Sequence, residues 1–68
     1  MCLSIVKMIT PVGEETLGEY VSSLQVSGKN VEFTDIMGST ASVYGTIKHI
    51  DLINNIITIS SPVDNQNG

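Results

Sequence analysis

Cys2 is the only cysteine among 68 residues, and with the single histidine, His49, it carries most of the chemistry that goes beyond packing and charge. A lone cysteine cannot close an internal disulfide, so its roles narrow to a thiol, a metal ligand or a link to a second chain. If Met1 is removed, the α-amine and thiolate of Cys2 close a five-membered chelate. Two chains meeting at a two-fold axis would then offer two nitrogens and two sulfurs in one plane. If Met1 stays, its amine, with the Cys2 amide nitrogen and thiolate, offers a similar set from one chain. Such square-planar donors suit nickel(II) or copper(II) better than tetrahedral zinc. The plainer reading is a small buried hydrophobe on a first strand, since free cysteine is among the most buried residue types.

His49 could complete a metal site, although a lone histidine at a strand bend, bonded to nearby backbone, is the commoner outcome. Asp35 and Asp51 read as strand-end or turn residues whose carboxylates bond local amides, not as an acid/base pair. Met1, Met8 and Met37 are soft copper ligands by type, but Met8 and Met37 lie in apolar stretches where core filling is the usual role. The chain has no phosphate loop, no paired cysteine–histidine motif and no nucleophile with a base at recognisable spacing. The sequence therefore points to a protein that is not an enzyme.

Three lysines and no arginine stand against seven acidic residues, giving net −4 and a pI near 4.4. Such a chain lacks the positive field that phosphate binding needs, so nucleic acid is disfavoured. No apolar run approaches the ~20 residues of a membrane span, and no basic segment leads into a long apolar one. No membrane association is expected, and a cytoplasmic address follows.

The elements that must position these residues read as strands. Val and Ile number 16 against eight for Ala, Leu and Met together, an excess that favours pleated structure. Leu3 to Thr10 alternates with apolar residues on both sides, which suggests a strand covered twice, once by another subunit. Pro11 to Glu15 reads as a turn. From Thr16 to Val26 the apolar offsets fit a helical face as well as a strand; Gly18, Ser22 and Ser23 favour an irregular entry and a strand over 23–26. A turn at 27–30 and a strand over 31–35 follow, with another turn at Gly38-Ser39. Ala41 to Asp51 reads as the longest strand, and Ile50 breaks its alternation, so a bulge or bend is expected near Gly45 or His49. Leu52-Ile53, Asn54-Asn55 and Ile56-Ile57 read as a hairpin with a two-residue turn. Residues 61–68 read as a frayed polar tail after a single domain over 1–60. Five or six short strands with no covering helix predict an all-β, SH3-like small barrel.

Taken in order, Met1-Cys2-Leu3-Ser4 before a short strand, then Asn30 to Gly38, then Val43 to Leu52 and the closing Asn-turned hairpin, resemble the CooT family of small nickel-binding proteins associated with carbon monoxide dehydrogenase. The resemblance spans roughly Met1 to Ile59. It implies a homodimeric small β-barrel binding one Ni(2+) per dimer through the family's amino-terminal cysteine, which falls on Cys2. It implies as partners a client nickel enzyme or its maturation factors, with the chain acting as a metallochaperone. His49 stands where the family pattern usually has a charged residue and gains nothing from the resemblance, while Gly45 and Asp51 become structural. The alternative is a small barrel that binds RNA or a peptide without metal. The charge balance and only three aromatics, Tyr20, Phe33 and Tyr44, speak against RNA, and a peptide fits the charge better.

Overall fold

The structure is a computed structural model and describes residues 3–62. Six strands follow one another: β1 (Ser4–Thr10), β2 (Gly13–Ser27), β3 (Asn30–Asp35), β4 (Thr40–Tyr44), β5 (Thr46–Asp51) and β6 (Ile56–Ser60). They form one sheet in the order β4-β3-β2-β1-β6-β5. All pairs are antiparallel except β1 with β6, which run parallel.

The all-β reading holds, but the closed SH3-like barrel does not. β4 and β5 lie at opposite edges of the sheet and are not paired. The reason is in the chain itself: a single residue, Gly45, separates these strands. One residue cannot make the two-residue turn of a hairpin, still less the long crossover of a parallel pair. The strands therefore diverge from Gly45, one to each edge; the sheet curls far enough for its edges to meet at that residue, but β4 and β5 do not pair and no barrel closes. The strand expected over 41–51 is divided at Gly45, and the bulge foreseen near His49 is present between Ile47 and His49.

Gly45 is fixed by how closely it packs. Its amide donates to the Lys29 carbonyl at 2.7 Å. A Cβ at this position would stand 2.7 Å from both Ile59 Cγ2 and the Ser60 carbonyl oxygen, so only glycine lets the backbone lie this close to β6.

The longest strand is β2, not the segment after residue 41, and it contains the stretch for which an irregular entry was expected. Glu14 and Glu15 belong to it, leaving Pro11 and Val12 as the turn. Its helix-like apolar offsets have a physical cause. The β1–β2 register slips on both sides of Val6, and the β2–β3 register slips between Val21 and Ser23. Each extra residue resets the alternation, so Leu17, Val21 and Leu24, at offsets of four and three, all pack on one core. The same device explains Ile50. A shift between Ile47 and His49 lets Ile47 oppose Ile59 and Ile50 oppose Ile57, so two residues three apart share a face.

The core is small. Val6, Val21, Val31, Phe33 and Ile59 are buried, with Met8, Leu17, Leu24, Val43 and Ile57 packed against them. Val6 and Ile59 sit on the parallel strands β1 and β6 and are fully buried. Met8 fills the core as expected, whereas Met37 is 84% exposed in the β3–β4 turn and fills nothing. Of the tail expected over 61–68, residues 63–68 lie outside the described residues. Ser61 is buried, and its amide donates to the Ile9 carbonyl.

Candidate functional site

The start of β1 is where the sheet's separate parts meet. Ser4 opposes Val21, which in turn opposes Asp35; Ile5 opposes Ile56, which opposes Asp51. One line across five strands thus runs from Asp35 to Asp51 through the first residues of β1. Cys2, two residues before this strand, lies outside the described residues.

Two aspartates at the ends of that line lock the neighbouring turns. Asp35 Oδ1 accepts from the amides of Met37 and Ser39 at 2.9 and 3.0 Å, and Gly38 completes the turn with φ of 90°. Asp51 Oδ1 accepts from the amides of Ile53 and Asn54, both at 3.0 Å, while Oδ2 accepts from Asn54 Nδ2. These carboxylates are acceptors for backbone, as their place in the sequence suggested. The Asn54 amide is the chief cause that holds the Asp51 carboxyl below its ordinary value of 3.8. The Asn54 side chain, the Ile53 amide and the charge of nearby His49 act the same way, against a smaller opposing effect of desolvation.

The closing hairpin departs from its expected form. Residues 52–55 are all turn, with Asn55 in the left-handed region at φ 59°, so Leu52 and Ile53 leave the ladder and stand 80% and 91% exposed. The Asn55 carbonyl accepts from the Ile5 amide at 2.8 Å, which ties this turn to the opening of β1. Beside it lies a cleft of about 140 Å³ lined by Ser4, Ser22, Ser23, Leu24 and Ile57. Ser22 Oγ donates to the Thr34 carbonyl.

His49 is exposed next to the β5 bulge, opposite Thr58. Among the described residues no group of three His, Cys, Asp or Glu side chains could hold a metal ion. Met8 is in the core and Met37 in a distant turn, so the two do not converge on a soft site. Lys7 Nζ and Glu14 Oε1 approach to 3.9 Å across the β1–β2 pair, a surface contact of little energetic weight.

Residues 1–60 match the family model described as CO dehydrogenase accessory protein CooT. The chain belongs to the CooT family. As a CooT-family accessory protein it is not a catalyst. A crystal structure described as CooT from Carboxydothermus hydrogenoformans has the same fold. It is 20% identical, with a TM-score of 0.78, and the match covers 88% of this chain and 97% of that one. No curated protein matches. Among the described residues of the CooT-family chain, no helix is long and apolar enough to cross a membrane.

Sequence reasoning missed one structural feature, a cleft at the β4 edge floored by Gly18 and Phe33. A signal for that edge is nevertheless in the sequence: residues 36–47 contain no charged side chain.

Proposed function

We propose that this CooT-family chain is a nickel(II) metallochaperone, holding one ion per homodimer through Cys2 and passing it to a nickel enzyme such as carbon monoxide dehydrogenase. The observation that carries the reading is the family match, which runs from residue 1 and so includes the only cysteine. The fold supports it in one respect. β1 is paired on both sides, with β2 and β6, so a ligand two residues ahead of Ser4 is tethered to the middle of the sheet and not to a loose edge.

Cys2 supplies a thiolate, and backbone or terminal nitrogen supplies the remaining in-plane donors; two-fold symmetry doubles the set. A site made from so few protein groups is shallow, so a client with competing ligands draws the ion off by exchange. Thiolate and amine must lose protons to bind, so affinity falls as pH drops below neutral. Calorimetric titration of nickel into wild type and Cys2→Ser tests the reading. Wild type is expected to bind one ion per two chains, with a sulfur-to-nickel charge-transfer band in the near ultraviolet. Cys2→Ser is expected to lose both, and equal affinity and stoichiometry in the two proteins would refute the assignment.

A further inference from the structure

The two edges of the sheet are defended unequally. β5 carries Lys48, His49 and Asp51 and is distorted by a bulge, devices that discourage another strand from pairing. β4, Thr40-Ala41-Ser42-Val43-Tyr44, carries no charge, no proline and no register shift against β3. Its hydrogen-bond phase is set at both ends. Asp35 donates to the Ser39 carbonyl and Gly45 donates to the Lys29 carbonyl. With alternate pairs bonded, Ala41 and Val43 turn their backbone groups toward β3, and Thr40, Ser42 and Tyr44 present theirs outward.

A cleft of about 160 Å³ opens beside this edge. Leu17, Gly18, Val21 and Phe33 form its apolar lining, with Ala41 from β4 at one side; Gly18 and Ala41 add almost no bulk. A cavity of about 150 Å³ accepts a molecule the size of benzene, so one leucine or isoleucine side chain fits here. The charged residues that line the cleft are Glu19 and Asp35, both acidic.

From the bare edge and the adjoining cleft together we infer that β4 is a strand-addition site for an extended segment of a partner protein. That segment is uncharged along its middle, places one aliphatic residue in the cleft and carries a lysine or arginine beside Glu19 and Asp35. Outward backbone groups supply the hydrogen bonds, the cleft selects the side chain, and the acidic residues attract the cation. A second copy of β4 fits less well, because that strand carries neither a cation nor a leucine or isoleucine. The inference does not depend on nickel, and its test uses none.

The probe is the acetylated and amidated peptide Lys-Thr-Val-Thr-Leu-Thr-Lys, titrated into the ¹⁵N-labelled full chain. Saturable amide shifts are expected at Thr40, Ser42, Tyr44 and Gly18, with binding at least tenfold weaker for the same peptide ending in glutamates. Ser42→Pro removes one outward donor and leaves the β3 ladder intact, so it is expected to weaken binding at least tenfold. Ala41→Leu fills the cleft, keeps every backbone donor and is expected to do the same, which decides the matter should the proline variant unfold. Shifts confined to β5, or affinities unchanged in a folded variant, would overturn the proposal. So would the same amides shifting with protein concentration alone, which would assign the edge to a second copy.

Discussion

Asp35 and Asp51 hold two turns by one device, a carboxylate accepting from amides two to four residues ahead, and the turns they lock stand at the two ends of the line through the start of β1. The consequence at Asp51 is a pH dependence of definite sign. Its folded value lies below its ordinary 3.8, so its contribution is complete above that value and is lost as pH falls through the lower, folded value. The Asp51 carboxyl carbon, followed by NMR, should titrate below 3.8. Asp51→Asn should remove this component from the acid limb of the stability profile; an ordinary midpoint would show that the turn does not bind the carboxylate in solution. Gly45 is the other decisive single residue. Gly45→Ala drives a methyl group into Ile59 and the Ser60 carbonyl, and overpacking of this kind costs about 1–3 kcal/mol. Urea unfolding should register that loss, while a stability equal to wild type would mean that the contact is looser than the structure has it.

Among the elements, the parallel pair β1–β6 contributes two of the fully buried side chains. Val6 and Ile59 are fully buried there, so Ile59→Ala should destabilise by about 2–5 kcal/mol in denaturant titration, a large share of what a domain this small possesses. A loss below 1 kcal/mol would place the core elsewhere. Strand β3 was legible because its apolar residues alternate without interruption, and β1 because an apolar, β-branched run on both sides of the chain marks a strand covered twice. β2 was not, because its bulges put Leu17, Val21 and Leu24 at offsets that mimic a helix. The closing hairpin was half legible. Asn55 marked the turn correctly, but the Asp51 carboxylate draws Leu52 and Ile53 into it, and apolar character alone gave no sign of that. Asp35 and Asp51 themselves were legible as backbone acceptors, because a short carboxylate at a strand end has few other partners.

At the scale of the whole molecule, the open sheet follows from connectivity. Counting strands suggested closure, but only the three-dimensional order puts β4 and β5, neighbours in sequence, at opposite edges with one glycine between them. The open form leaves two edges, and among the described residues just five apolar ones form the buried core while others, Val12, Met37, Leu52 and Ile53 among them, stand in solvent. A sheet with so thin a core gains from association, which agrees with an accessory protein that works by meeting other chains. Family membership was legible from the order of short motifs along the chain and above all from the second-position cysteine, although each motif alone is mainly structural. The central claim is that Cys2 gathers two chains around one nickel ion. Native mass spectrometry of the chain loaded with nickel tests it most directly: the account predicts a dimer carrying a single ion, and loss of that ion in Cys2→Ser. Nickel retained by the serine variant at the same stoichiometry would contradict it.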